Sequence, residues 1–261
     1  MFGAVSGATL LADPATFSAV VVAVVLVGLS KGGLGGAFAM MGVPIMVLVM
    51  PPLQALALML PVLLMMDAVS LWAWRGWYDR ATLLVMLPGA LLGIALGALA
   101  AAFTSDAAVR VLVGMVALGF VVRMALARRD APAKGQSGWR GGFWGAVAGF
   151  TSFVAHAGRP PFDVYALPLR FDPRVLAGTS VIFFAVVNAV KLLPYAILGQ
   201  FDREILLTAG VMLPVAVLAT LMGAWIVRRM RAEVFYPVMY AMLALVGLRL
   251  VWDGARGLLG G

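Results

Sequence analysis

Long apolar runs alternate with short polar clusters along this chain, and the length of the runs decides what they form. The clearest cover roughly residues 53–74, 81–103, 107–127, 174–199, 204–227 and 233–252, each closed by charged or turn residues. They are near the ~20 residues that carry a helix across a bilayer. The stretch Leu83 to Phe103 is apolar on every face, whereas the strands of a membrane barrel would alternate apolar and polar positions. The pattern therefore predicts an all-α polytopic membrane protein. Two further apolar segments do not fit a simple crossing. Residues 17–50 are interrupted by Ser30-Lys31-Gly32-Gly33-Leu34-Gly35-Gly36, and residues 141–169 by His156-Ala157-Gly158-Arg159-Pro160-Pro161. Taken as one helix, residues 17–50 would extend ~51 Å at 1.5 Å per residue, too long for one ~30 Å crossing and short for two. Each segment reads as a broken or re-entrant helix, either a hairpin or a pair of half-helices.

The two halves repeat. A shift of 121 positions lays Asp67 on Asn188 and Ser70 on Lys191, and a shift of 126 lays Leu87-Pro88 on Leu213-Pro214 and Gly97-Ala98 on Gly223-Ala224. The chain thus divides into a first transmembrane repeat over 1–127, a hydrophilic linker over 128–140 and a second transmembrane repeat over 141–261, each repeat a broken segment followed by three helices. If each broken segment returns to its own side, three crossings per half invert the second repeat. That arrangement gathers Arg75, Arg80, Arg123, Arg128, Arg129, Lys134, Arg140, Arg170, Arg174, Arg228, Arg229 and Arg231 on one face of the membrane, leaving Arg110, Arg203 and Arg256 on the other. The positive-inside tendency then puts the linker in the cytoplasm and both termini outside. Two crossings per broken segment would give the same parity, so six long helices with hairpins and ten shorter helices both satisfy it.

Composition sharpens this picture. Of 261 residues, 64% are hydrophobic and 11% charged, and such a chain could not coat a soluble surface. The net charge of +8 follows from basic residues at helix ends, not from a nucleic-acid patch. The first residues lack a basic segment ahead of an apolar one, so no cleaved signal peptide is expected. The absence of cysteine excludes thiolate chemistry, and the single histidine, His156, leaves little for a metal; no metal or other cofactor is expected. Recognised catalytic patterns are missing too: there is no HExxH, GxSxG or paired-carboxylate motif, and Gly28-Leu29-Ser30-Lys31-Gly32-Gly33 fails the phosphate-loop spacing. Inverted repeats with interrupted helices instead mark a secondary transporter whose site lies at the midplane where the breaks meet.

Several residues at those breaks carry candidate chemistry. Ser30, Lys31, Gly32, Gly33, Gly35 and Gly36 form a break whose freed NH groups could face an anion. The glycines otherwise serve close helix packing, which is the better reading for Gly89, Gly93 and Gly97, where no polar residue intervenes. Lys31 lies ~21 Å along a helix from Phe17, deep for snorkelling, so it belongs to a substrate site or to an ion pair with Asp67. Arg159 at the second break offers a forked guanidinium to an oxyanion, or else reaches cytoplasmic water. His156 either relays a proton or stays neutral on a backbone carbonyl. Asp67 with Ser70, and Asn188 with Lys191, occupy matching helical faces and are candidates to line one path, although Lys191 could also snorkel. Trp72, Trp74, Trp77, Tyr78, Trp139 and Trp144 read as interface anchors.

The succession GLSKGGLGGAFAMMGVPIM, LPVLLMMDAVSLWAWRGWYD, LPGALLGIALGA and GFTSFVAHAGRPPFDVYALP resembles the TauE/SafE sulfite exporters, also called the TSUP family, over nearly the whole chain. That resemblance implies a multi-pass permease of the bacterial inner membrane for sulfite or organosulfonates, driven by the proton gradient. It also implies a permeation site formed by 28–36 and 151–161, which adds Thr151, Ser152 and Gly158 to the candidates. Members with this His-Ala-Gly motif more usually continue with Gly before the two prolines, so Arg159 departs from the pattern. The partners implied are a small anion, protons and the bilayer, with room for a homo-oligomer and with no nucleic acid. A membrane scaffold or complex subunit, and a proton or cation channel using Asp67, are the alternatives; a cation channel should hold more intramembrane carboxylates than basic groups, and here the reverse holds.

Overall fold

The computed structural model describes residues 12–31, 38–103, 105–126, 135–226 and 232–259, and all regular structure among them is helical. In chain order the helices are α1 (Pro14–Leu29), α2 (Ala39–Val47), α3 (Pro52–Ala73), α4 (Arg80–Ala102), α5 (Asp106–Leu126), α6 (Gly138–Ala155), α7 (Arg159–Ala166), α8 (Pro173–Ile197), α9 (Arg203–Ile226) and α10 (Ala232–Leu259). The six runs expected to cross are α3, α4, α5, α8, α9 and α10, with α10 extending beyond the expected end. Among the described residues, α3, α4, α8 and α9 are long and apolar enough to cross a membrane. At 1.5 Å per residue the 22 residues of α3 reach ~33 Å, a bilayer core with little to spare.

Local chemistry sets the helix starts. Asp13 accepts from Thr16 N at 2.9 Å and Asp79 from Thr82 N at 2.7 Å, while Asp172 precedes Pro173 and Asp202 accepts from Ile205 N. Helix α6 begins at Gly138, inside the stretch expected as linker, because Ser137 caps it through Arg140 N. Residues 128–134 of that linker lie outside the described residues.

The broken segments are hairpins with one long and one short arm. Helix α6 ends at Ala155, and Gly158 lies so close to it that a Cβ there would come within 2.7 Å of Ala148 O. Helix α7 then runs back along α6 until Tyr165 reaches Ser137, whose N–H donates to the phenol oxygen at 3.2 Å. At the other hairpin α2 folds back on α1, with Gly42 against Val27. Among the described residues the arrangement is six long helices with two pairs of one longer and one short helix, not ten equivalent crossings.

Packing relates the halves. Helices α4 and α6 run side by side in the same direction, with Gly89 against Gly142, Gly93 against Ala146 and Gly97 against Phe153; Gly145 and Gly149 press in turn on Met86 O and Ala90 O. The small residues at 89, 93 and 97 serve close packing, as the sequence suggested. The matching contact, α1 with α9, places Gly28 on Ala219. Helices α3 and α8 cross antiparallel, since Asp67 meets Asn188 and Asp79 N meets Thr179 Oγ1 at 2.8 Å. Helices α5 and α10 are antiparallel as well, with Gly114 near Gly247 and Gly254 near Ala107. Equivalent helices of two inverted repeats would stand in this relation.

A side chain at Gly93 would overlap Ala146 O, whereas Gly142 has open space at its Cβ position. Gly93→Val should cost about 1–3 kcal/mol or more through overpacking, and Gly142→Ala should be tolerated. Thermal unfolding of the two purified variants in detergent tests the contrast; equal melting temperatures would remove the glycine contact from the fold's determinants.

Candidate functional site

The end of α1 and the turn between α6 and α7 meet the crossing of α3 and α8. Helix α1 ends in a widened, π-helical turn at Ser30 and Lys31. Its ammonium pairs with Asp67 Oδ1, and Asn188 Nδ2 donates to Asp67 Oδ2 at 2.6 Å. Both oxygens of this carboxylate, only 2% exposed, are thus engaged. Asp67 and Asn188, the pair that the repeat aligned, meet directly.

The second tip is built around His156. Helix α6 closes with the N–H groups of His156 and Ala157 on Ser152 O and Thr151 O, which needs a left-handed residue at the end. His156 takes that conformation at φ 49°, where glycine is the usual occupant. The imidazole Nε2 lies 2.9 Å from Leu56 O and therefore carries a hydrogen. Its Nδ1 faces Lys191 Nζ at 2.8 Å. Lys191 is wholly buried and also reaches Ser152 O at 3.0 Å and Ser152 Oγ at 3.1 Å. It does not snorkel. On the far side of the break Arg159 donates from Nε to Asp163 Oδ1 at 2.8 Å and from NH1 to Ser180 Oγ at 2.9 Å.

These groups surround a cavity of about 150 Å³. Ser30, Lys31, Asp67, His156, Arg159 and Asn188 give it a polar end, with Ser152 and Ser180 beside them; Leu63, Trp74, Val181 and Phe184 form an apolar wall. At roughly 10–15 Å³ of such space per water, it holds on the order of ten waters, or a small polyatomic anion with part of its hydration.

Not every candidate comes to this place. Thr151 bonds to its own helix through Val147 O and faces a second cavity of about 190 Å³, bounded by Phe120, Arg123, Trp144 and Pro160. Gly158 is buried against Ala148 and Phe184, and a side chain there has no room. Ser70 is buried and donates to Met66 O. Lys191 stands behind His156 instead of on the cavity wall. Gly32, Gly33, Gly35 and Gly36 lie outside the described residues. Three residues were not singled out from sequence: Asp163, Ser180 and Phe184. Asp163 had a usable signal, its spacing of four from Arg159 on one helix. Trp74, read as an interface anchor, lines the cavity.

Residues 20–250 match the family described as Sulfite exporter TauE/SafE. The chain belongs to that family. Comparison with curated proteins and with solved structures returns no match. As a TauE/SafE protein it is a multi-pass membrane transporter, not an enzyme, and a small anion is the kind of substrate the family handles. The segments that carry the hairpin tips fall inside the matched region.

In this TauE/SafE chain, Asp67 holds Lys31 and Asn188 together where water is scarce. Removing one partner of a buried ion pair typically costs about 3–5 kcal/mol because the other charge stays behind. Asp67→Asn should therefore lower stability strongly, and Lys31→Met in the same chain should recover most of the loss. Thermal unfolding of the wild type, both single variants and the double variant measures the coupling; additive effects would show that the two groups do not act as a pair.

Proposed function

We propose that this protein is a permease for small sulfur-containing anions, sulfite or organosulfonates, that works by proton-coupled alternating access across a bacterial inner membrane. The observation that carries the reading is the cavity where two hairpin tips meet, bordered by Lys31 and Arg159 and backed by Lys191, against the carboxylates Asp67 and Asp163. Cations there outnumber carboxylates. Both oxygens of Asp67 are already taken, which leaves a cation little to bind and disfavours the channel alternative.

The antiparallel pairing of α3 with α8 and of α5 with α10 supports reading the halves as inverted repeats, the architecture in which one half rocks against the other around a central site. The cavity is lined from Asp67 and Asn188 to Trp74 and Ala177, at the ends of α3 and α8 where the sequence carries Arg75 and Arg174. With the basic face inside, this is a conformation that looks to the cytoplasm. Lys31 keeps hydrogens beyond the one given to Asp67, and Arg159 keeps N–H groups beyond those given to Asp163 and Ser180, so both can bind an oxyanion without breaking their pairs.

Purified protein in liposomes should accumulate labelled sulfite or a sulfonate and not sodium. Lys31→Met should weaken uptake by the equivalent of about 2–5 kcal/mol, whereas Arg256→Met, an exposed cation stacked on Trp252, should change it by about 1 kcal/mol or less. Equal effects would remove Lys31 from the site, and absence of any anion flux would reject the transport reading. Orientation is checked separately with single cysteines in this cysteine-free chain: an impermeant maleimide should label Gln200→Cys but not Lys134→Cys in intact cells.

A further inference from the structure

We infer that Lys191 and His156 together form a binding site for one proton, and that the proton accompanies a singly charged anion so that the carrier changes access in an electrically neutral state. The inference rests on the permease reading and specifies its coupling.

Hydrogen bonding and charge together limit the pair to one extra proton. Because Nε2–H of His156 is committed to Leu56 O, only Nδ1 can face Lys191. With one proton added, two arrangements satisfy every group. Either Lys191 is an ammonium whose three hydrogens go to Ser152 O, Ser152 Oγ and His156 Nδ1, or the proton sits on Nδ1 and is donated to the amine. With no proton added, the amine gives its two hydrogens to Nδ1 and Ser152 O and accepts from the Ser152 hydroxyl. A second added proton would place two cations 2.8 Å apart with no carboxylate on either, and Nδ1–H would have only Ser152 O, 3.2 Å away and already shared with Lys191.

The charges around the pair decide what that proton does. Lys31 is matched by Asp67 and Arg159 by Asp163, so these four groups sum to zero. Lys31 and Asp67 are the charged groups near enough to act on Lys191; Tyr195 stacks on His156 with its hydroxyl given to Phe153 O. Among the described residues no carboxylate touches Lys191. The empty, unprotonated site is therefore neutral, and the protonated one carries a single unmatched positive charge beside the cavity. An isolated charge in the membrane interior is costly, so a bound monoanion and the proton each raise the affinity for the other. Empty and fully loaded forms are neutral, and the forms with one partner missing are not. His156 lines the cavity while Lys191 does not, so movement of the proton to Nδ1 brings the charge to the anion.

The test uses reconstituted wild type with labelled methanesulfonate, a monoanion that takes up no proton near neutral pH, and with sulfite. One unit of pH difference should drive about tenfold accumulation at zero potential, as one proton per anion requires, and a potassium–valinomycin potential should leave the rate unchanged. His156→Asn, which tolerates the left-handed backbone and cannot relay a proton, and Lys191→Met should lose that tenfold accumulation. Flux in Lys191→Met should become sensitive to potential, because its loaded form is negative. If Lys191→Met fails to insert, the wild-type potential dependence and His156→Asn decide. Potential-driven wild-type flux, sulfite flux without methanesulfonate flux, or a wild-type pH response in both variants would overturn the inference while leaving transport intact. Absence of flux for every anion would instead reject the permease reading.

Discussion

A helix broken inside hydrocarbon frees backbone groups that water cannot reach, and a charge placed there needs a partner or a full set of hydrogen bonds. Both demands fall on the same few atoms at the second hairpin tip. Ser152 O accepts from His156 N at 3.1 Å and from Lys191 Nζ at 3.0 Å, so one side chain closes the end of α6 and finds its own acceptor there. The C-terminal end of a helix also carries partial negative charge, which favours an ammonium. His156 in turn bonds to Leu56 O on α3. The tip is thereby tied to both helices that cross at the centre, and the cavity exists because the tip stops short there.

Rigid packing surrounds this adjustable region. Along α4 and α6 glycines bring backbone to backbone, and contact at that distance resists sliding because any shift drives Cα atoms into carbonyl oxygens. The turn at His156 and the end of α1 at Lys31 are held by side-chain hydrogen bonds and an ion pair, which exchange more readily than interlocked backbones. Stiff helices with polar joints suit the proposed alternating access, in which the two halves change their relation to each other.

Much of this was legible in the sequence because membrane helices announce themselves by length. The long helices, four of them long and apolar enough to cross a membrane, the break at His156 and the meeting of Asp67 with Asn188 follow from apolar run lengths and polar interruptions. What sequence could not fix was facing. Thr151 and Ser152 are neighbours, yet about 100° of helical rotation separates them, and they border different cavities. The hairpin geometry depended on contacts between distant positions, such as Tyr165 with Ser137. Lys191 looked close enough to a helix end to snorkel, and only its three acceptors, supplied by another helix and its cap, hold it inward. Asp163 was overlooked because a carboxylate four residues from an arginine reads as an ordinary surface pair until the helix bearing it is found inside the protein.

The Lys31–Asp67 pair raises the question of why charge is kept in such a place at all. A buried ion pair is weak support for stability, since well-packed apolar residues of similar volume often serve as well or better. Its retention therefore has to be explained by something apolar residues cannot do. Asp67 occupies one of the three ammonium hydrogens of Lys31 and spends its other oxygen on Asn188, leaving donors on Lys31 at the cavity without a net charge when the cavity is empty. Arg159 and Asp163 repeat the device from the other tip, with Ser180 fixing the guanidinium. Two neutralised cations supply hydrogen bonds at low electrostatic cost, and the third basic group, Lys191, has no carboxylate beside it among the described residues.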